Sequence, residues 1–470
     1  MPLPLYSEQK MGVKFYKPKV NRKSVYFLCV QDHYEKLERV WEERYQQKFG
    51  YRRSFVTDVI YKYLECGDLH FGFARVKCKE YKHEYLLPFS CKCRHFCPSC
   101  HQRRVIEFGE WLCEEALKKV GHRQWVFSIP KRLRVYFMYD RKLLAKLSQC
   151  AWNVLSMYLK GTADDNAAPG AIVAVQTFGD FLNFNPHLHI VATNGCFDSN
   201  GNFIRGPEPD PKELEDAFRC EVLKLLKYAG KVNDLIIEKM MSWYHSGFNV
   251  YCGNAINPFD QEGLERLAQY IIRAPISQER MTYVPASESF DGVARVIYKA
   301  KDGRTTKTFL ALDWLAHLIP HIPNKGEQMV RYYGYYSNKT RGLRKKTDTD
   351  TLVPALIDTE LSKKAFRKNW SRLIQKIYHA DPLVCPKCSS KMRIISFIEE
   401  PDVIRAILLH LDLWAVKNHD PPIGKIVKNY IPEKMEIPEQ IQFMDEMQFY
   451  HGNCDRPYED EYSQVTDYAD

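Results

Sequence analysis

The stretch Gln176-Thr-Phe-Gly-Asp-Phe-Leu-Asn-Phe-Asn-Pro-His-Leu-His-Ile-Val191 decides how this chain is read. Its second half sets His187 and His189 two residues apart among branched aliphatics. On a β-strand, residues two apart face the same side, so both imidazoles project together while Leu188 and Ile190 point the other way. That is the pattern of a metal-binding strand lying on a core, although His-x-His taken alone also fits a pair of ordinary half-buried histidines. The first half of the stretch is a strand and a loop carrying Gly179, Asn183 and Asn185, able to return a third donor toward the pair. Gln176 and Asp180 both qualify, and spacing alone does not choose between them.

Outward from this stretch, strands are expected at 171–178 and 187–194, and Gln124-Trp-Val-Phe-Ser-Ile-Pro130 is a further strand closed by proline. Residues 31–65 read as mostly helical, and a helix is expected at about 141–160. Asp210 and Pro211 open another, in which Leu214, Phe218, Val222 and Leu225 recur at three- and four-residue spacing. After a helix at 261–274 come strand-like runs at 281–285, 292–299 and 305–311. From about 345 the chain turns basic, then helical, and finally acidic. Strands and helices mix without regular alternation, and no glycine-rich phosphate loop appears. The expected fold is α+β with a mainly antiparallel sheet and flanking helices.

The helix at 261–274 holds a second chemical signal. Leu264, Leu267, Ala268, Ile271 and Ile272 form one apolar stripe. Tyr270 lies well off that stripe, on the polar side with Arg266, Gln269 and Arg273. A tyrosine there is either an ordinary surface residue or a nucleophile between cations that grip a phosphate and favour the phenolate.

The chain has 15 cysteines and no export signal, so they read as thiols and thiolate metal ligands rather than disulfides. Cys97-Pro-Ser-Cys100 presents two thiolates on a tight turn, half of a tetrahedral zinc site. Cys66, Cys78, Cys91 and Cys93 are nearby candidates to complete it, with His83 and His95 as spare candidates. Cys385-Pro-Lys-Cys388 repeats the turn near the C-terminus, either as half a site completed elsewhere or as two free thiols.

The net charge is +10, and the last eighteen residues hold six acidic groups against one basic group, so the rest of the chain is more basic still. Such a body suits a polyanionic partner. Lys131, Arg132 and Arg134, with Arg341 and Arg344, are candidates to track a nucleic-acid backbone, and Tyr332, Tyr333, Tyr335 and Tyr336 are candidates to stack bases. No apolar run approaches the ~18 residues needed to cross a bilayer, and a cytoplasmic location is expected.

Taken in order, these motifs resemble the rolling-circle transposases of bacterial insertion sequences, in the branch carrying an N-terminal zinc-binding domain. The matching residues begin with Cys66-Gly67, Phe89-Ser-Cys-Lys92, Phe96-Cys-Pro-Ser-Cys100, Arg123-Gln-Trp-Val126 and Pro130-Lys-Arg-Leu-Arg134. They continue through Gln176-Thr-Phe-Gly179, Asn185-Pro-His-Leu-His189, Tyr270 to Pro275 and His321-Ile-Pro323. Arg331-Tyr-Tyr-Gly334 and Cys385-Pro-Lys-Cys388 complete a likeness over roughly residues 60–410.

The resemblance implies an HUH endonuclease domain, named for two histidines around a hydrophobic residue, preceded by a small cysteine-rich zinc-binding domain. It implies His187 and His189 as ligands of a divalent metal (Mg²⁺ or Mn²⁺), Tyr270 as nucleophile, structural zinc, single-stranded DNA as partner, and no nucleotide cofactor. The expected domains are 1–118 (helical and zinc-binding), 119–345 (catalytic) and 346–470 (C-terminal region). Two departures stand out. Arg266 occupies the place where some relatives carry a second tyrosine, which implies a single-tyrosine enzyme. Tyr81 stands where the family often has a cysteine. Other readings are a non-catalytic zinc-dependent DNA-binding protein, a metal hydrolase, and a relaxase or replication initiator sharing the same chemistry.

Overall fold

The computed structural model describes residues 21–161, 166–198, 201–346 and 381–414. The acidic tail and the stretch just after residue 346 lie outside the described residues. Helices α1 (Val25–Arg44), α2 (Gln46–Phe49) and α3 (Ser54–Leu64) come first, then β1 (Phe73–Cys78), β2 (Glu84–Pro88) and α4 (Pro98–Trp111). The middle of the chain runs β3 (His122–Ser128), α5 (Arg134–Tyr139), α6 (Lys142–Lys160), β4 (Ala168–Phe178), β5 (Phe184–Phe197) and β6 (Phe203–Arg205). It continues through α7 (Pro211–Tyr228), α8 (Asp234–Met241), β7 (Asn249–Ile256) and α9 (Gln261–Ile271). After these come β8 (Met281–Val284), β9 (Arg295–Lys299), β10 (Thr306–Leu310), α10 (Ala311–Leu318), β11 (Val330–Gly334), α11 (Asn338–Lys346), β12 (Met392–Ile398) and a helix over Pro401–His410.

The fold is α+β around one antiparallel sheet. Its strand order is β11-β4-β5-β3-β7, with β6 beside β5. The histidine strand β5 is therefore central, flanked by β4 and β3. Register sets Gln176 and Ala174 of β4 opposite His187 and His189, and Val126 of β3 opposite His189.

Alternation along β5 divides the sheet into two faces. Leu188, Ile190 and Ala192 pack with Val173, Val175 and Phe127 beneath α6 and α7, against Leu147, Val154, Phe218 and Val222. Helix α7 starts where the capping chemistry says it should. The Asp210 carboxylate accepts from the N–H groups of Lys212 and Glu213, and Pro211 sits in the first turn. Its buried stripe ends on Leu223 and Leu226, whereas Leu225 is only partly buried. The opposite face holds Ile172, Ala174 and Val191 against Leu264, Leu267, Ala268 and Ile271 of α9 and Phe108 and Trp111 of α4.

A second core joins distant stretches of the chain. Tyr26, Leu37, Trp41 and Ile60 of the N-terminal helices pack with Val296, Tyr298, Trp314 and Leu315 around the sheet β10-β9-β8. The Tyr45 hydroxyl donates to Asp313 Oδ1 at 2.6 Å, and Arg53 donates to the Ile319 carbonyl at 2.8 Å. This packing crosses the boundary drawn at residue 118. The boundary at 345 is crossed as well, because β12 pairs antiparallel with β1 in the sheet β12-β1-β2. Among the described residues, no helix is long and apolar enough to cross a membrane.

Candidate active site

His187 and His189 project from the same face of β5, with ring centroids 4.9 Å apart. Both are buried. The His187 Nδ1–H donates to the Asn185 carbonyl at 2.7 Å, which places the proton on Nδ1 and the lone pair on Nε2. The Gln124 carboxamide nitrogen stands 3.5 Å from His189 Nδ1. Burial pulls the His187 pKa down to about 4, more than the Asn185 carbonyl raises it. Burial also drives His189 well below the ordinary imidazole value, helped by the charges of His187, Arg273 and Lys301. Both rings are neutral near pH 7, the form in which imidazole ligates a metal.

Tyr270 reaches this pair from α9. Its ring meets His189 edge-on, centroids 5.1 Å apart and planes at 88°. The apolar stripe predicted for the helix is buried as a unit, and Tyr270 is half-buried at its margin. Two cations lie over the phenol face: the Arg273 guanidinium 5.0 Å and the Lys301 ammonium 5.3 Å from its centroid. The helix ends at Ile271 rather than near 274, for two reasons. The residue before Pro275 is pushed away from helical geometry. The last carbonyls are also taken from outside: Gln176 Nε2 donates to Ile271 O at 2.8 Å and to Tyr270 O at 3.3 Å. Gln176 Oε1 in turn accepts from Arg273 Nε at 3.2 Å. One buried carboxamide beside His187 thus holds both the tyrosine's helix end and the flanking arginine.

Of the two third-donor candidates, Gln176 stands at the site, while Asp180 sits on the following turn, 3.6 Å from Arg280. Neutral imidazole nitrogens and a carboxamide oxygen are donor types that divalent ions accept.

A cysteine tetrad gathers at the start of α4. The sulfurs of Cys66, Cys91, Cys97 and Cys100 lie within 4.8 Å of one another. The separations are 3.9 Å for Cys66–Cys100, 3.7 Å for Cys91–Cys100 and 3.8 Å for Cys97–Cys66. A tetrahedral zinc with Zn–S bonds of about 2.3 Å requires sulfurs about 3.8 Å apart, so the tetrad fits structural zinc. Cys97 caps α4 and Cys100 lies in its first turn. From that same turn, His101 Nε2 donates to the Ile272 carbonyl at 2.7 Å, just past the end of α9. Further along α4, Phe108 and Trp111 pack against Leu264, Leu267 and Ala268 of α9. The zinc tetrad therefore braces the helix that packs on Tyr270's helix.

Two family models match the chain in the same order as these parts. One, described as "Transposase zinc-binding domain", covers residues 36–129 and with them the tetrad. The other, described as "Putative transposase", covers residues 170–344 and with them the histidines and Tyr270. Together they span more than half of the chain. The chain belongs to this family of transposases.

The transposase is similar to the "Transposase for insertion sequence element IS801" of Pseudomonas savastanoi pv. phaseolicola, 24% identical over 328 residues, covering 62% of this chain and 73% of the relative. It is also similar to the "Putative transposase y4qJ" of Sinorhizobium fredii, 23% identical over 342 residues, covering 66% of this chain and 81% of the relative. No solved structure matches it.

Several residues singled out from the sequence lie elsewhere than expected. Cys78, grouped there with the zinc tetrad, sits instead at the end of β1, its sulfur 3.6 Å from that of Cys388, because strand pairing carries it away from the α4 turn. Cys93 is outside the tetrad. His95 donates its backbone N–H to His101 Nδ1 at 3.1 Å, and His83 accepts from the Cys78 N–H through its backbone carbonyl. The tyrosines at 332–336 are packing residues: Tyr333 stacks on Trp152, Tyr335 on Phe197, and Tyr336 is buried against His122. Arg341 lies over Tyr332 and Arg344 over Tyr335.

Arg266 is exposed and pairs with Glu262 at 3.5 Å. Lys131, Arg132 and Arg134 follow β3 at the edge where Ser128 faces His187, and Arg134 adds to the charge that keeps His187 neutral. Gln124, Lys301 and His101 escaped the sequence reading. Gln124 alone left a trace, at alternating spacing on a predicted strand. The contacts of Lys301 and His101 depend on which helices meet.

Proposed function

We propose that this transposase cuts and rejoins single-stranded DNA at the ends of an insertion sequence through a covalent bond to Tyr270. The observation that carries the proposal is Tyr270 edge-on to a buried neutral histidine pair, with Arg273 and Lys301 over its ring. His187 Nε2, His189 and Gln176 Oε1 would hold a divalent ion, Mg²⁺ or Mn²⁺, which when bound polarises the scissile phosphate. Arg273 and Lys301 neutralise its non-bridging oxygens and orient it against α9. The Tyr270 hydroxyl oxygen attacks phosphorus in line. A tyrosine–phosphorus ester forms at the 5′ side, the bond to the 3′ oxygen breaks, the phenol proton leaves to solvent, and the freed 3′ oxygen takes one up.

Because the new ester conserves the phosphodiester energy, rejoining is the same step reversed and needs no nucleotide. The phosphate must reach a helix held against a sheet, which favours a single strand over a duplex. Lys131, Arg132 and Arg134 guide its backbone past the C-terminal end of β3, and Arg266 extends the basic surface one turn before Tyr270. The reducing cytoplasm, where thiolates persist, is the compartment that suits the zinc tetrad.

The test uses labelled single-stranded DNA from the element's ends, with Mn²⁺ or with EDTA, and reads covalent protein–DNA adducts on a denaturing gel. A metal-dependent adduct that disappears in Tyr270→Phe and in His187→Ala is expected. An adduct that survives Tyr270→Phe would move the nucleophile to another residue. Retained DNA binding with no adduct under any condition would make the chain a non-catalytic zinc-dependent DNA-binding protein.

A further inference from the structure

The active site uses neither Cys78 nor the turn Cys385-Pro-Lys-Cys388. Strand β1 ends on Cys78, and β12 runs antiparallel to it with Met392 opposite Cys78. This register brings the 385–388 turn to the end of β1. The sulfurs of Cys78, Cys385 and Cys388 consequently lie within 4.8 Å of one another, although Cys78 and Cys388 are 310 positions apart. The Cys78–Cys388 separation of 3.6 Å is near the ~3.8 Å that tetrahedral thiolate ligation of zinc demands.

The two turns have the same design. Four residues after Cys78, Lys82 has φ 54°; four residues after Cys385, Ser389 has φ 58°. Residues other than glycine seldom enter that region, so both turns are held there by their surroundings. In the first, the Tyr81 N–H donates to Cys78 Sγ at 3.4 Å, a bond that supports a thiolate. In the second, the Cys385 N–H donates to the Ser390 carbonyl and the Ser389 N–H to the Cys385 carbonyl, both at 2.9 Å. Where the second turn has its second thiol, Cys388, the first has Tyr81, a largely exposed side chain with Lys387 Nζ 5.6 Å from its ring centroid. Among the described residues, no His, Asp or Glu joins the three sulfurs.

Packing gives the cluster a purpose. Two small cores back β12-β1-β2: Ala74, Val76, Met392 and Ile394 with Cys78 and Cys385 themselves, and Phe73 with Ile404 and Leu408. A small sheet closed across most of the chain length gains from a further tie, and small metal sites supply one.

We propose that Cys78, Cys385 and Cys388 bind a second zinc ion as thiolates, with solvent in the fourth position on the Tyr81 side, fastening β12 and its turn to the front hairpin. Soft thiolates select zinc over the Mg²⁺ or Mn²⁺ suited to the histidine site. The proposal is independent of the chemistry at Tyr270.

The experiment counts zinc by mass spectrometry in the purified full chain after gel filtration in chelator-free buffer, then follows its release to EDTA. Two ions per chain are expected, one for each cysteine group, with Cys388→Ser retaining one. Tyr81→Cys places a thiol at the position Cys388 holds in the other turn. It should keep two ions and slow release of the labile one by about tenfold or more. One ion in the unaltered chain, or two retained in Cys388→Ser, would overturn the proposal. Should Cys388→Ser shed both ions by unfolding, the Tyr81→Cys chain decides alone: unchanged release would refute the open fourth position.

Discussion

Replacing Gln176 by leucine tests how the tyrosine is aimed. The side chain keeps its size but loses the N–H groups that bind Ile271 O at 2.8 Å and Tyr270 O at 3.3 Å, and the oxygen that accepts from Arg273 at 3.2 Å. Gln176 and Ile271 are buried, so water does not replace the missing donor at the Ile271 carbonyl. A stranded buried carbonyl and the two other lost hydrogen bonds together cost about 2–4 kcal/mol. The loss is local to the last turn of α9, where it is read best by hydrogen exchange of peptides covering 261–276. Taking about 2 kcal/mol, their amides should exchange roughly thirtyfold faster. Adduct formation should fall by about a hundredfold, since a small displacement of the attacking oxygen is enough. Gln176→Glu separates two roles. It retains an oxygen that can ligate a metal and accept from Arg273 but offers no N–H to α9. Exchange unchanged in Gln176→Leu would refute the capping argument. Fast exchange with adducts restored in Gln176→Glu would assign Gln176's contribution to metal binding instead.

Three further outcomes are expected. Cys100→Ser should release the tetrad's zinc and reduce adduct formation, because α4 holds Ile272 through His101; full activity in the zinc-depleted variant would refute the bracing role. Gly334→Ala should destabilise the sheet edge by about 2–4 kcal/mol, read as a lower urea midpoint. Gly334 has φ 56°, and an added Cβ would stand 2.0 Å from the Pro169 carbonyl oxygen; an unchanged midpoint would contradict that packing. Acid should destabilise the fold through buried neutral histidines: burial lowers His122 to about 4, from 6.5. With its folded value depressed, its contribution is complete above pH 6.5 and is lost as pH falls to about 4. In that window, unfolding free energy should fall more steeply in the unaltered chain than in His122→Gln, by up to about 1.4 kcal/mol per pH unit. Equal slopes would show that His122 does not titrate on unfolding.

Much of the site was legible because local periodicity records which face a side chain takes. His187 and His189 two apart, and Tyr270 off a stripe of three- and four-residue steps, each needed only the geometry of a strand or a helix. The Cys97–Cys100 turn is local in the same sense. The metal groupings were not legible, since Cys78 belongs with Cys388 only through the β1–β12 register, and a one-residue motif carries no record of its distant strand partner. Gln176 could be named as a candidate donor, but its hold on α9 depends on which helix covers the histidine face. Arg341, Arg344 and the tyrosines at 332–336 look the same in sequence whether they meet DNA or each other. Tertiary packing turned them inward because aromatic faces and guanidiniums were brought together there. The order of residues along the chain carries the chemistry on offer and the face that presents it. Only the folded chain decided the partners, because hydrophobic burial is non-directional and long-range register has no local signature.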